Sequence, residues 1–593
     1  FHSLARGAMP TVFGQLDFDR MVAPSAMPDC DRSPDEERTG GNDVDESMRC
    51  PRLLGNVPRS ASSLDVDAIR MSKLEDSPKS HFEGVLCKGL VLNTHIRPAL
   101  LRGASVSTLF GNFGRLMRHS PEVLDRDTLL ENFEKSTVCL QLDYFISHVW
   151  SGFGVQKYLA LLLYFTGGKA LAVSVGVAFF VWALLHRDGP LPLPYLGSTQ
   201  WVKPYTSSFS PSCMLMGEAA LLIAYVVLPH FQRSSRSFFD FLCINQVDEE
   251  TKREAVVAFG GILRKSKCLL ILWDSSYFGR LWTSYEMAAF AHLHGVRSGK
   301  VAFVPVSLMS GILVMQFFMF VNDFALMLSK AFFSGPFQVQ IGLWVVGFLP
   351  YHFLVGNARR YARDCKLLHE DIKNYDVRTV RCKEESDRVN VMNDVVTMYG
   401  SPEQFNNYVR SRFPGYVGSF FPTCRSAISY SNAFFCCSPC IFFLLDFSVL
   451  DWHHKTPFDV KAAWSLLTVV WIFCVEPLRI AAFFTLGSRC ADRARGCPDF
   501  MYQSCLVAFC LFVSTVLSFA ALIAVSAVPK FGLMPISAVA FFYVALTIYV
   551  YAPAPDCADH AGSTQDRSPT EVDAHATVAV RRRSRCLLPS LKL

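Results

Sequence analysis

Two short apolar stretches, Asp143-Tyr-Phe-Ile146 and Cys268-Leu-Leu-Ile-Leu-Trp273, decide the fold of this chain. Each has the length and composition of a short strand, and we expect both to belong to one water-soluble sheet. Roughly forty strongly apolar residues lie between them, which is enough for two passes through a bilayer. The sequence therefore predicts an α/β domain whose chain crosses the membrane twice and returns, an arrangement typical of sensing or signalling at a membrane.

Long apolar windows predict a polytopic membrane protein. The chain has 593 residues, 51% of them hydrophobic, and its mean hydropathy is positive. About eight windows are long enough to span a bilayer. They cover approximately residues 159–186, 212–231, 309–328, 337–355, 433–450, 463–486, 504–528 and 532–552. Because the number is even, both termini are expected on one side of the membrane.

The distribution of Lys and Arg predicts the orientation. The segment 356–432 and the basic tail near Arg581 are rich in these residues, whereas the opposite loops carry little beyond Lys330 and Lys530. Basic loops stay on the cytosolic side, so the soluble segments and both termini are predicted to be cytosolic. The net charge of +6 is spread over these loops. Its pattern indicates a lipid bilayer as partner and excludes nucleic acid.

Alternating polar and apolar segments predict the domain organisation. The terminal regions are polar and predicted to be disordered. In chain order we expect a disordered region (1–85), a soluble segment with the first strand (86–157), transmembrane hairpin 1 (158–231), the main α/β segment (232–308), transmembrane hairpin 2 (309–355), a cytosolic helical segment (356–432), four transmembrane helices (433–552) and a disordered basic tail (553–593).

Strand-like and helix-like patterns alternate in the soluble segments, which predicts a parallel sheet with helices on both faces. The expected strands are 138–146, 237–242, 268–273 and 300–308, and the expected helices between them are 251–265 and 280–294.

The order of several short motifs resembles Toll/interleukin-receptor (TIR) domains. They are Asp143–Ser147, Phe239-Asp240, Tyr277-x-x-Arg280-Leu-Trp282-x-x-x-Glu286 and Val304-Pro-Val306. The resemblance covers residues 138–166 and 237–308, and the pieces are also similar to uncharacterised membrane proteins of algae and protists. It implies a flavodoxin-like sheet of order 2-1-3-4-5, split by the membrane hairpins. Asp376–Cys382 is then the candidate fifth strand, with helices at 358–372 and 384–412. Thr283 departs from the family, which usually has Cys there.

In a sheet of this order, ligands bind beyond the carboxyl ends of strands 1 and 3. The predicted cleft residues are Ser147, His148, Trp150, Asp274 and Trp282. Glu286 follows Trp282 by one turn, so its carboxylate could face a partly dry cleft. In TIR domains that cleave NAD the matching glutamate is catalytic, and the resemblance implies that role for Glu286, with NAD as substrate and no certain cofactor. The alternative is a structural Glu286 that is solvated or ion-paired, for instance with Arg280 or His148.

Ionisable residues in the apolar windows suggest a second kind of function. They are Lys169, Glu218, Asp323, Asp446, Glu476 and Arg479. In Glu476-Pro477-x-Arg479, the proline interrupts the helix beside an opposite-charge pair. This motif could line an ion or solute path, or could be a locally neutralised pair. We name no metal ligand, because Cys437-x-x-Cys440 has no second pair at metal-binding spacing.

The sequence thus predicts a polytopic membrane protein with a cytosolic TIR-like domain. Its expected role is signalling or protein–protein interaction, through self-association or contact with other TIR-like domains, with NAD hydrolysis by Glu286 as an optional activity. The alternative is an ion channel or solute transporter whose α/β domain is regulatory.

Overall fold

The described part of the chain runs from Ile96 to Ala552 in a computed structural model. Within it, the described residues exclude 119–120, 151–153, 187–196, 203–204, 210, 295–300, 333–335, 384, 419–424, 450–457, 491–496 and 527–530. The predicted disordered regions 1–85 and 553–593 therefore lie outside the described residues.

The described residues form a six-stranded mixed sheet and a separate two-stranded sheet. Together the two sheets contain β1 Arg102–Ser105, β2 Ser136–Val138, β3 Leu142–His148, β4 Gly197–Val202, β5 Tyr205–Phe209, β6 Arg236–Phe238, β7 Ser266–Trp273 and β8 Val301–Pro305. The sheet has the order β2-β1-β6-β3-β7-β8, and β4 pairs with β5 in a separate hairpin. Strands β6, β3, β7 and β8 are mutually parallel, while β1 runs antiparallel to β6 and β2.

The two stretches that decide the fold are neighbours, as predicted. Strand β3 pairs with β7 in parallel, with Phe145 opposite Leu269 and Ile146 opposite Leu270. The pairing therefore joins segments that two candidate membrane spans separate in the sequence. Strands within the four predicted segments also appear in the predicted spatial order, second, first, third, fourth. The predicted strands 237–242 and 300–308 are too long, because helices begin at Asp240 and at Val306.

The predicted edges of the sheet are wrong in two places. Asp376–Cys382 is not a fifth strand: it forms turns, and only Arg381 makes a bridge, to Arg280. The predicted strand 138–146 is two strands, β2 and β3, and β1 with β2 extends the opposite edge. Three-residue and four-residue strands carry too little periodic signal to be recognised before their partners are known.

Eighteen helices surround the sheet or form the bundle in the described part of the chain. They are α1 Val106–Leu109, α2 Arg126–Glu134, α3 Gly154–His186, α4 Ser212–Val227, α5 Asp240–Cys243, α6 Glu249–Val257, α7 Phe259–Arg264, α8 Leu281–His294, α9 Val306–Phe332, α10 Pro336–Lys373, α11 Glu385–Tyr399, α12 Pro402–Gly418, α13 Tyr430–Cys436, α14 Ser438–Val449, α15 Phe458–Val470, α16 Glu476–Arg489, α17 Cys497–Ser526 and α18 Met534–Tyr551.

Two predicted helices are divided. The predicted helix 251–265 is α6 and α7, which meet at Ala258, and 384–412 is α11 and α12. Gly400 separates the latter pair with a φ of 84°, a left-handed conformation that ends helices and favours glycine. The predicted helix 358–372 is the end of the longer α10, which continues out of the apolar window.

Five helices are long and apolar enough to cross a membrane among the residues that the structure describes. They are Gly154–Leu185, Ser212–Phe231, Val306–Ala325, Ala462–Arg489 and Met534–Tyr551. They match five of the eight predicted windows. The window 433–450 is instead two short helices, α13 and α14, that meet at Cys437. The windows 337–355 and 504–528 fall in α10 and α17, whose side chains are described only in part.

The parallel strands continue almost directly into the candidate membrane-spanning helices. Pro305 ends β8 and Val306 begins α9 with no residue between them. Five residues separate His148, the last residue of β3, from the first residue of α3. Helix α4 ends in the 3-10 turn Leu228–Phe231, and four residues separate this turn from β6. Three of the four parallel strands are therefore covalently tied to the ends of three candidate spans.

Aromatic side chains pack on both faces of the sheet. Phe145 stacks on Phe238 at 4.9 Å, and both pack edge-on against Phe259 of α7. On the other face, Tyr144 contacts Phe165 of α3 at 5.1 Å. Because successive strand residues point to opposite faces, the face carrying Phe145 is covered by the soluble helices and the face carrying Tyr144 by a candidate span.

Candidate functional site

Glu286 lies in the middle of α8 with its carboxyl group buried. The residue is 8% exposed, and its Oε2 has no hydrogen-bond partner in the described part of the chain. Burial raises the pKa of Glu286 to about 8; the hydroxyl of Ser147 opposes this shift, and the nearby Asp240 adds to it. A carboxylic acid with this pKa is mostly protonated at neutral pH and acts as a hydrogen-bond donor.

A hydroxyl pair connects this carboxyl group to the end of the central strand. Ser147 Oγ and Tyr277 OH are 2.6 Å apart, and both side chains are buried. Burial and the neighbouring Glu286 raise the pKa of Tyr277 well above its ordinary value, so the phenol keeps its proton. Ser147, Tyr277 and Glu286 thus form a buried polar group in which every member can be neutral.

His148 does not share this site, although the sequence predicts it in the same cleft. It follows Ser147 on β3, and consecutive strand residues point to opposite faces. Its ring stacks on Phe239 at 4.9 Å and packs edge-on against Trp150 at 4.7 Å. Burial, and then the nearby Lys157, lower the pKa of His148 well below its ordinary value. The imidazole is therefore neutral in an aromatic setting.

Trp150 and Asp240 connect the ends of β3 and β6. The Nε1 of Trp150 donates to Asp240 Oδ2 at 3.0 Å, and the Phe241 N–H donates to Asp240 Oδ1 at 2.8 Å. Burial raises the pKa of Asp240 to about 6, even though both hydrogen bonds favour the carboxylate. Asp240 therefore binds the first turn of α5 and orients the indole of Trp150.

Asp274 and Trp282, the other two residues of the predicted cleft, have their hydrogen bonds with other partners. Asp274 accepts from the backbone and the hydroxyl of Ser276, a local turn at the surface. The Nε1 of Trp282 donates to Asp387 of α11 at 2.9 Å, and its ring contacts Phe259. The packing of α11 onto α8 places this indole, and α11 lies beyond the segment that the TIR resemblance covers.

Lys157 is a polar residue of this region that sequence reasoning missed. It lies in the first turn of α3, is 2% exposed, and donates through Nζ to the carbonyl oxygen of Val149. The carboxylates of Asp274 and Asp240 attract its charge. A lysine at the start of a long apolar helix, just after a strand, is the sequence signal that could have indicated a buried partner.

The buried polar group of Ser147, Tyr277 and Glu286 is shielded from solvent and can hold a proton. A protonated carboxyl group beside two hydroxyls can donate and accept hydrogen bonds, and an ionised one could stabilise a developing positive charge. The second role requires a substrate to reach Oε2, which is covered in this conformation. Among the described residues, no group of three or more His, Cys, Asp or Glu is arranged to hold a metal ion.

The pair Glu476–Arg479, predicted from the sequence, is formed inside a candidate span. Arg479 Nη2 lies 2.5 Å from Glu476 Oε2, with side chains 21% and 5% exposed. The Nε1 of Trp471 donates to Glu476 Oε1 at 2.8 Å, and the guanidinium lies over the ring of Tyr351 at 5.1 Å. Residues Trp471–Val475 form a π-helical turn directly before the pair, a feature frequent at functional sites.

Asp446 has a structural role at the start of a candidate span. Its two carboxylate oxygens accept from the backbone N–H groups of Cys213 and Met214, both at 2.8 Å, in the first turn of α4. These N–H groups have no partner within the helix, and the helix dipole favours a negative charge there. Asp446 thus joins α14 to α4 in the bundle interior.

We expect Asp446→Ala to lower the free energy of unfolding by about 2 kcal/mol, because it leaves two buried N–H groups without acceptors. Asp446→Asn should cost less, because the amide oxygen can still accept one bond. Thermal unfolding of the purified protein in detergent measures both. Equal losses for Ala and Asn would contradict the capping role.

Comparison with protein-family models, curated proteins and solved structures finds no match to this chain. The functional interpretation therefore depends on the chemistry of two places: the buried group around Glu286 and the intramembrane pair Glu476–Arg479.

Proposed function

We propose that this chain is a membrane signalling protein with about eight spans, whose cytosolic TIR-like domain acts through protein–protein contacts. The observation that supports it is the direct connection of parallel strands to candidate spans, above all Pro305 of β8 to Val306 of α9. Displacement of a span moves the attached strand, because no flexible linker separates them. A domain tied in this way can report the state of the bundle on the cytosolic side.

A second connection supports coupling through helix α8. The long helix α10 leaves the bundle and leads to Arg381, which bridges to Arg280 just before α8. Helix α11 then holds α8 through Trp282–Asp387 and Tyr285–Asp394 hydrogen bonds. The helix that carries Glu286 is therefore reached from the bundle by two routes, through the sheet and through α10.

We expect that a three-glycine insertion between Pro305 and Val306 uncouples the sheet from the bundle. In the unaltered protein, Glu476→Gln should change hydrogen exchange in β7, β8 and α8, although the substitution lies in the membrane. In the inserted variant the same substitution should leave exchange in β8 unchanged. Mass spectrometry of full-length protein in lipid vesicles makes the comparison. If Glu476→Gln changes no exchange in the sheet even without the insertion, the signalling proposal fails.

NAD hydrolysis is an optional activity within this proposal. The TIR resemblance implies that Glu286 is the catalytic residue. Its raised pKa means that this carboxyl group binds a proton more tightly than an ordinary glutamate does. The burial of Oε2 means that turnover requires an opening of the cleft. Purified full-length protein should consume NAD, and Glu286→Ala should abolish this consumption. Glu250→Gln, at an exposed position of α6, should leave it unchanged. NAD loss that survives Glu286→Ala would remove this activity from the proposal.

The alternative, an ion channel or solute transporter with a regulatory α/β domain, is supported by the buried pair Glu476–Arg479 beside a π-helical turn. In that case Glu476→Gln should alter ion flux into vesicles, while Glu286→Ala leaves flux intact. The signalling proposal predicts instead that the unaltered protein and both variants carry no ion flux.

A further inference from the structure

A chain of three carboxyl groups from three candidate spans leads to one guanidinium in the bundle. Asp323 of α9 is 3% exposed, and the charges of Glu476 and Arg479 of α16 act on it. Glu218 of α4 is 5% exposed and is in turn influenced by Asp323. Sequence reasoning singled out these residues separately, but only the packing of α4, α9 and α16 brings them together.

Each of the three carboxyl groups lies several helical turns from one end of its candidate span. Glu218 precedes Phe231 by thirteen residues and Glu476 precedes Arg489 by thirteen, which is about 20 Å along a helix in each case. Asp323 follows Val306 by seventeen residues, about 26 Å. Phe231, Val306 and Arg489 are each one end of a candidate span. All three carboxyl groups therefore lie within candidate spans, and Asp323 lies farthest from the end used as its reference.

Several polar atoms in the cluster have no hydrogen-bond partner among the described residues. They are Glu218 Oε2, Asp323 Oδ2, Asn322 Oδ1 and the hydroxyl of Tyr351. Tyr351 is 2% exposed and its ring lies beneath Arg479, so its hydroxyl faces the same charges. Buried polar atoms without partners are costly. Their concentration here indicates a small polar ligand that completes the hydrogen bonding.

The charges in the cluster do not balance. The groups that face Asp323 are Glu218 from α4, Asn322 from α9, Tyr351 from α10, Cys440 from α14, and Glu476 and Arg479 from α16. Arg479 already pairs with Glu476. If all the carboxyl groups were ionised, two negative charges would remain uncompensated in an apolar layer, which is unfavourable.

We propose that Asp323, with Glu218 beside it, is a proton-binding site inside the membrane bundle. The proton binds a carboxylate oxygen of this pair, and the resulting O–H can serve one of the atoms that lack a partner. The ion pair Glu476–Arg479 sets the local field that decides when the proton leaves. The site requires only the packed bundle and goes beyond both proposed functions: a signalling protein would use it to sense pH, and a transporter to couple to protons.

The geometry favours a proton over a metal cation. A bound Na⁺ or Ca²⁺ needs several oxygen ligands converging on one point. The described residues contain no group of three or more acidic or metal-binding side chains placed to hold a metal ion. A proton needs only one carboxylate oxygen, and it removes the excess charge.

Infrared difference spectroscopy of full-length protein in lipid vesicles tests the site directly. The measurement uses the Glu286→Gln background, because Glu286 is a second buried carboxyl group with a raised pKa. A carbonyl band of a protonated carboxylic acid should appear at neutral pH, shift in D₂O and disappear at alkaline pH. Asp323→Asn should remove most of it. An absent band, or one unchanged in Asp323→Asn, would overturn the proposal.

A matched control and a second variant complete the test. Asp446→Asn removes another buried carboxyl group of the bundle, but one whose two oxygens accept N–H groups, and it should leave the band in place. Glu476→Gln keeps an acceptor for Trp471 and frees Arg479 to attract Asp323. The band should then disappear at a pH lower by roughly one unit or more. This shift decides the question even if Asp323→Asn does not fold.

The Na⁺ alternative is a separate arm of the same experiment. Adding NaCl at fixed pH and constant ionic strength should leave the band unchanged. Loss of the band with release of protons would overturn the assignment in favour of a Na⁺ site. Failure of the signalling proposal would be seen in hydrogen exchange of the sheet and failure of the transporter proposal in flux, so neither is confused with failure of the proton site.

Discussion

Arg479→Leu is expected to lower the free energy of unfolding at neutral pH by about 3–5 kcal/mol, the usual cost of removing one partner of a buried ion pair. The substitution leaves Glu476, which is 5% exposed, without its cation and removes the contact with the ring of Tyr351. Only the hydrogen bond from Trp471 remains on the carboxylate. Denaturant titration of the purified protein in detergent measures the loss.

The double variant Glu476→Gln, Arg479→Leu is the control for this effect. It removes both charges, keeps an acceptor for Trp471, and should recover most of the lost stability, because no buried charge is left unpaired. A double variant as unstable as Arg479→Leu would show that packing, and not charge, accounts for the cost.

Glu286→Gln is expected to stabilise the α/β domain at pH 7 by roughly 3 kcal/mol, because glutamine mimics the protonated acid and cannot ionise. The folded pKa of about 8 is raised from an ordinary value of 4.5. Between these values the folded chain keeps the proton that the unfolded chain has lost. The contribution of Glu286 is therefore fully present below pH 4.5 and is lost as the pH rises towards 8.

The pH dependence separates this effect from a general change in packing. The gain in Glu286→Gln should be near zero at pH 4 and should grow by about 1.4 kcal/mol per pH unit between pH 4.5 and 8. Glu250→Gln, an exposed residue of α6, should show no such slope. Thermal unfolding of the full-length protein across this pH range provides the measurement. A parallel stability profile for Glu286→Gln and the unaltered protein would contradict the buried, protonated state.

Much of the architecture follows from local patterns. The strands around Phe145 and Leu270 are short apolar runs bounded by polar residues, and five candidate spans are continuous enough to be recognised by length and hydropathy alone. The order of the parallel strands was predictable too, but through the TIR resemblance and not through periodicity. Features that depend on many consecutive residues can be predicted because each residue contributes to the same signal.

The composition of the sites was less predictable. Ser147 and His148 are adjacent in sequence, yet the strand directs them to opposite faces, one towards Glu286 and one towards Phe239. Trp282 was placed in a cleft, but α11 supplies Asp387 and draws its indole away. These outcomes depend on partners about ninety or more residues distant, which no local window contains.

The sequence by itself determined that short strands lie around Asp143 and Cys268 and that long apolar segments separate them, because hydrophobic periodicity and length are properties of contiguous residues. The tertiary structure alone decided that Asp323, Glu218 and the pair Glu476–Arg479 share one place, and that Asp376–Cys382 stays out of the sheet. Packing of distant helices fixes which charges face each other, and buried charges interact strongly because the apolar surroundings screen them little. For that reason the contacts between buried charged groups follow only from the tertiary packing of the helices.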